Sequence, residues 1–212
     1  VSRSLAGAAL AALGYADDPA WAAELLRYAQ DDYPPVRQAV AGALPTMFAG
    51  SDLSGDAVAA LIRLTGDTDP GVRDWATVSL GTLSGADTEA IRDALAARLD
   101  DDGGDTRFQA VTGLARRGDP RALTEITHRL GDDMATIYLL DLVAAAELAD
   151  PVLLPALDRL ATSWAGDDDR HTDALSYAID RCQPGTHYLA KTRETELIAA
   201  VNHTLLHIGW RV

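Results

Sequence analysis

A chain of 212 residues is long enough to bury a substantial core, as one domain or as an elongated array of small units. Its net charge of −14, from 32 acidic residues against 18 basic ones, argues against a general nucleic-acid binder. Neutralising phosphates needs clustered lysine and arginine, and here Lys191 is the single lysine. Leu and Ala dominate the apolar residues while Phe occurs only twice, a balance that favours helix over sheet.

From the N-terminus onward the sequence reads as helices in pairs. Residues 1–16 have helical apolar spacing and form a half repeat; the chain begins at Val1 inside this pattern, which predicts a preceding segment. A helix follows near 19–30, opened by Asp18 as N-cap and Pro19 at the first helical position. The acidic turn Asp31-Asp32 leads into PVRQAVAGALPTM. The next pair is a helix near 54–65 from Ser54, the turn Asp67 to Asp69, and GVRDWATVSLGTL. A third runs near 87–99 from Asp87, turns at Asp100 to Asp102, and continues as DTRFQAVTGLARR. A fourth starts at Asp119-Pro120, turns at Asp132-Asp133, and continues as MATIYLLDLVAAAEL. A fifth starts at Asp150-Pro151, turns at Asp167 to Asp169, and continues as DRHTDALSYAIDRC. Beyond residue 183, a Pro184-Gly185 turn and a helix near 192–208 are expected to cover the open end of the array.

An internal period accompanies this alternation. Arg3, Arg37, Arg73 and Arg107 recur at spacings of 34 to 36 residues. Ala6, Val40, Ala76 and Ala110 follow the arginine by three positions, and Leu10, Leu44, Leu80 and Leu114 follow it by seven, both helical offsets. Helix, acidic turn, helix at such a period describes an α-solenoid. The expected fold is an all-α, right-handed solenoid of about five helical hairpins, with repeats at about 17–50, 51–85, 86–118, 119–149 and 150–183. With the cap at 184–212, it is read as one continuous domain.

The pattern Asp-x-Asp-Pro-x-Val-Arg-x-x-Ala, with Leu four further on, resembles the bacterial HEAT-repeat proteins, including the HEAT-like units of phycobilin lyases. RDWATVSLGTL, DTEAIRDALAARLDD and GLARRGDPRAL carry the same likeness, over residues 1 to about 165. Two units depart from it: Tyr138 stands where the fourth arginine should fall, and His171 or Thr172 near the place of the fifth. The resemblance implies a scaffold whose second helices line a concave face. It also implies an alternative, action on a tetrapyrrole as in the lyases. A base-excision activity, as in some HEAT-like glycosylases, implies a basic DNA-holding groove that the sequence does not offer.

The ladder arginines are expected to be structural, each bonding an Asp carboxylate or a helix-end carbonyl of a neighbouring turn. Angular position at 100° per residue assigns Val72, Ala76, Ser79, Leu80 and Leu83 to the core, and Asp74, Val78 and Gly81 to the opposite side, with Trp75 and Thr77 on the flanks. Ser4, Ala8 and Ala11, then Gln38, Gly42 and Pro45, then Phe108, Thr112 and Ala115 are the counterparts in the other units. The candidate partner-binding residues are Gln38, Asp74, Trp75, Thr77, Val78, Phe108 and Thr112, with Trp75 as the anchor.

No Ser-His-Asp arrangement, phosphate-cradling glycine loop or HExxH box appears, so no catalytic residue, cofactor or metal is expected. His203 and His207 at i, i+4, with Cys182 and His187 upstream, are the residues a zinc ion could take, and a capping helix with incidental histidines is the simpler reading. Calcium at DDDGGD (100–105) lacks the spaced ligands of an EF-hand. Cys182 is alone, no apolar run reaches membrane length, and no signal-peptide order opens the chain. The expectation is therefore a cytoplasmic, non-catalytic interaction protein, with no nucleic-acid or membrane partner. Its acidity suits a basic partner protein, of which a toxin would be one example.

Overall fold

In the computed structural model, the residues described are 21–46, 55–132, 136–165 and 170–184. Among them every regular element is helical. Helices α1 (Ala22–Leu26), α3 (Gly55–Thr65), α5 (Glu89–Ala96), α7 (Pro120–Gly131) and α9 (Leu154–Ser163) are the first members of successive hairpins. A 3-10 turn, Pro151–Leu153, leads into α9. Helices α2 (Pro34–Thr46), α4 (Pro70–Val78), α6 (Gly104–Arg116), α8 (Leu139–Leu148) and α10 (Arg170–Cys182) are the second members.

The contacts group into two compact units, Val1–Ala122 and Leu123–Val212, with the division inside α7. In the first, α4 packs on its hairpin partner α3 and also on α2 before it and α6 after it. Hairpins stacked in this way are the solenoid arrangement. In the second, α10 packs on α8 and α9.

The starts of these helices follow from residue chemistry. Asp69 is the N-cap of α4, its carboxylate accepting the Gly71 and Val72 N–H groups at 3.0 and 3.1 Å, and Pro70 fills the first position without wasting a donor. Asp150 likewise accepts the Val152 N–H. At α5 the cap is Thr88, bonded to the Ile91 N–H, and not the expected Asp87, which is drawn instead into a bidentate pair with Arg92.

The core is Leu and Ala at helical spacing: Leu25, Val40, Leu44, Leu61, Val72, Ala76, Leu80, Leu95, Ala110 and Leu114 are buried in the first unit. Ser79 joins them by donating its hydroxyl to the Ala41 carbonyl at 2.8 Å. Leu83, expected in this core, is 45% exposed. The reason is a π-helical turn, Ser79–Leu83, that continues α4. Its i→i+5 bonding advances each residue by less than 100°, so the phase set by Val72 and Ala76 is lost by Leu83.

Opposite this turn α6 comes close. A Cβ on Gly113 would lie 2.6 Å from the Gly81 Cα, so the two helices touch backbone to backbone at a pair of glycines. Gly81, expected on the far side, is therefore buried at this crossing.

Candidate functional site

The fourth residue of α2, α4 and α6 is Arg37, Arg73 and Arg107, respectively, and Asp31, Asp67 and Asp101 lie in the turns just before these helices. Each arginine reaches back to the carbonyl of its own turn aspartate: Asp31 at 2.7 Å, Asp67 at 3.1 Å and Asp101 at 2.6 Å. Two of them also grip both oxygens of the next turn's carboxylate with the Nε–Nη2 edge of the guanidinium, leaving Nη1 for the carbonyl. Arg37 donates to Asp67 at 2.7 and 2.7 Å, and Arg73 to Asp101 at 2.8 and 3.1 Å. Those carboxylates organise their own turns as well, accepting the Asp69 and Gly103 N–H groups. The guanidinium beside each, acting first by hydrogen bonding, holds the Asp67 and Asp101 carboxyls below the usual carboxylate range against the opposing pull of burial. Arg3 lies outside the described residues.

A second arginine device was not read from the sequence. The Arg117 guanidinium, at the end of α6, donates to the carbonyls of Leu80, Gly81, Ser84, Ala86 and Gly113 at 2.7–3.2 Å, and Arg116 donates to Thr82 at 2.7 Å. Together they close the carbonyl end of the π turn, whose acceptors lack helical partners. The stretch GLARR is where this could have been found: two adjacent cations at a helix C-terminus call for carbonyls.

Tyr138 also finds its explanation. It caps α8, and its N–H donates to Asp141, which is buried and gripped by Arg129 of α7 at 2.7 and 2.8 Å. At this unit the arginine sits on the first helix of the hairpin and the aspartate on the second, the reverse of the expected placement.

The candidate face then resolves into two groups. Gln38, Asp74, Trp75, Val78 and Phe108 are half-buried, with Gln38, Asp74 and Phe108 each one residue past a ladder arginine on successive second helices. Thr77 and Thr112, expected beside them, are buried at 0% and 1% exposure, each hydroxyl donating to the carbonyl four residues earlier. Angular position on one helix does not report the next helix, which covers them. The Trp75 ring lies across Gly42, with ring atoms 3.2–3.8 Å from where a Cβ on that glycine would stand. Gly42 is thus occupied by Trp75 and is no part of an open floor.

Most of the described arginines are engaged within the chain, although Arg27, Arg63, Arg107, Arg121 and Arg159 are exposed. Arg37, Arg73, Arg92, Arg98, Arg121 and Arg129 pair with aspartates, while Arg107, Arg116, Arg117 and Arg181 meet backbone carbonyls. Exposed carboxylates such as Asp56, Glu89, Asp102 and Asp105 remain at the surface.

Cys182 is buried, donating its S–H to the Ala145 carbonyl at 3.6 Å, and burial pushes the thiol up to about 11. His187, His203 and His207 lie outside the described residues, among which no three His, Cys, Asp or Glu side chains are arranged to hold a metal. Asp101, the residue of DDDGGD with the most bonds, is committed to Arg73, Arg98 and Gly103. No described helix is long and apolar enough to cross a membrane.

Residues 2–81 match the HEAT-repeat family. Protein YibA of Escherichia coli K12 is 33% identical over 121 residues, an alignment spanning 57% of this chain and 40% of the relative. The same protein from Escherichia coli O157:H7 matches equally. The X-ray structure of E. coli YibA superposes with a TM-score of 0.63 at 29% identity, covering 79% of this chain and 57% of that one. The chain thus spans well under two thirds of the length of these relatives.

Proposed function

We propose that this chain, whose residues 2–81 are HEAT repeats, is a non-catalytic scaffold that holds a partner polypeptide on the face carrying Gln38, Asp74, Val78 and Phe108. The observation that carries the reading is the use of side chains along α2, α4 and α6. Residues that repeat from unit to unit are consumed by packing and the arginine ladder. The positions one beyond the arginine differ in each unit and keep part of their surface. An amide, a carboxyl and an aromatic ring at matching positions supply hydrogen-bonding and apolar anchors of the kind that recognise an extended segment or helix. Because acidic residues outnumber basic ones 32 to 18 and carboxylates such as Asp102 and Asp105 stay exposed near this face, a partner with basic residues at its rim is favoured.

The test is site-specific photo-crosslinking in the native cell, with the crosslinking residue at Phe108 or, as a control, at the exposed Ala59 of α3. A protein adduct formed from position 108 and absent from 59, weakened by Gln38→Arg, is expected. Equal adducts from both positions, or none from 108, would sink the assignment of this face. Complex formation that weakens steeply with added salt identifies the basic rim.

A further inference from the structure

Asp74 is the fifth residue of α4, half-buried against the first turn of α6. No cation among the described residues pairs with it. Arg73 beside it is turned to Asp101 and to the Asp67 and Thr68 carbonyls, and Arg107 on α6 is turned to the Asp101 carbonyl. On α2, the charged residue is Arg37, held by Asp67. On α3 the charged residues are Asp56 and Arg63, toward its two ends, and the π turn has none. From α6 and its turn, Asp105 and Asp101 bring further negative charge.

The bond Asp74 does receive is a weak one. Thr106 donates its hydroxyl at 3.4 Å, long for O–H···O, and Thr106 is itself buried with Asp74 as the acceptor its hydroxyl meets among the described residues. A buried hydroxyl on α6 therefore depends on a desolvated carboxyl on α4 that faces like charge.

We infer that the contact between α4 and the first turn of α6 is a pH-sensitive joint. With Asp74 protonated, its carboxyl and the Thr106 hydroxyl hold the helices together; with Asp74 ionised, repulsion from Asp105 and Asp101 loosens the turn. Burial first, and the charge of Asp105 second, push the Asp74 carboxyl up to about 6 despite the Thr106 bond, so the change falls between neutral and mildly acidic pH. The sign follows from the raised value. The folded chain holds this proton more tightly than the unfolded chain, so the stabilisation is full below about pH 4 and lost as pH rises through about 6. Thr106 precedes Arg107 and Phe108, so loosening there acts on both the ladder and the proposed partner face.

The experiment follows the Asp74 carboxyl 13C shift, the exchange of the Arg107 amide bonded to Gly103, and urea unfolding across pH 4.5–7.5. It compares wild type with Asp74→Asn and Asp105→Asn. A carboxyl midpoint near 6 that falls in Asp105→Asn is expected. Arg107 exchange, corrected for its intrinsic pH dependence, should speed several-fold from pH 5 to 7 in wild type and stay flat in Asp74→Asn. Over the same range the wild-type unfolding constant should rise relative to Asp74→Asn, by up to about tenfold if the whole shift is expressed. An Asp74 midpoint below about pH 4.5 overturns the inference. So do wild-type and Asp74→Asn stability profiles that run parallel between pH 5 and 7. If Asp74→Asn fails to fold, the wild-type titration and Asp105→Asn decide the matter on their own.

Discussion

Replacing Asp101 by asparagine removes one charge and little volume from the acidic turn between α5 and α6, a heavily bonded one. The carboxylate is 3% exposed and accepts from Arg73 twice, from Arg98 at 3.2 Å and from the Gly103 N–H at 3.0 Å. Taking one partner from a buried pair costs about 3–5 kcal/mol, mostly because the other charge is stranded. Arg73 is 15% exposed and keeps its Asp67 and Thr68 carbonyls, so the asparagine variant belongs below that range, at about 2–3 kcal/mol. Alanine also loses the turn bond to Gly103, adding about 1 kcal/mol. Urea unfolding followed by circular dichroism at pH 7 measures both. Glu24→Gln, which breaks a pair 76% and 42% exposed, is the control and should change stability by less than about 0.5 kcal/mol. The Arg73 guanidinium holds the Asp101 carboxyl low, so the folded chain binds that proton more weakly than the unfolded one. Its contribution is present above about pH 4 and lost as pH falls further through the folded value, so wild type and Asp101→Asn should converge in acid. A double-mutant cycle with Arg73→Met should give a coupling near 2 kcal/mol. A coupling near zero, or Asp101→Asn within about 0.5 kcal/mol of wild type at pH 7, would refute the account of the ladder.

Three further substitutions address the other devices. Arg117→Met strands the carbonyls closing the π turn and should cost about 3 kcal/mol or more, with Arg117→Lys recovering part of the loss; equal stability of the two variants would show that the stem, not the donors, matters. Gly113→Ala places a methyl 2.6 Å from the Gly81 Cα, and the separation of helices this forces should outweigh the helix-propensity gain of about 1 kcal/mol, giving a lowered melting temperature. Ala149 ends α8 in the left-handed region at φ 50°, so Ala149→Gly should stabilise by about 0.5–1 kcal/mol, read as a raised urea midpoint at unchanged slope.

The hairpins were legible because their signals are local: apolar spacing, aspartate or threonine before the first turn, proline at the first position. The arginine period was legible because it recurs. What escaped lies between helices. Nothing in SLGTL announces a π turn, since the carbonyls it frees find their donors on Arg116 and Arg117 more than thirty residues later. Thr77 and Thr112 looked available because a helical wheel records direction and not cover. Arg129 and Asp141 escape the period because this unit carries its arginine on the first helix of the hairpin and its aspartate on the second. The Trp75 slot escaped as well, because Gly42 stands five residues past its arginine and Trp75 two past its own, so the repeat alignment does not bring them together. Since the ring fills that slot, Trp75→Ala would open a gap over Gly42 and cost stability, making it a poor probe of binding.

The ladder also has a direction. The turns at Asp67 and Asp101 each offer a carbonyl to their own arginine and a carboxylate to the arginine of the hairpin before, as Asp67 does for Arg73 and Arg37 and Asp101 for Arg107 and Arg73. A cassette from Thr68 to Asp101 therefore begins and ends with matching unfilled valences, like a coupling with one plug and one socket. Duplicating it in frame leaves every donor and acceptor of the ladder paired, whereas excising part of it leaves a ladder guanidinium without its carboxylate. Such a chain can change its reach by whole cassettes without inventing a new joint.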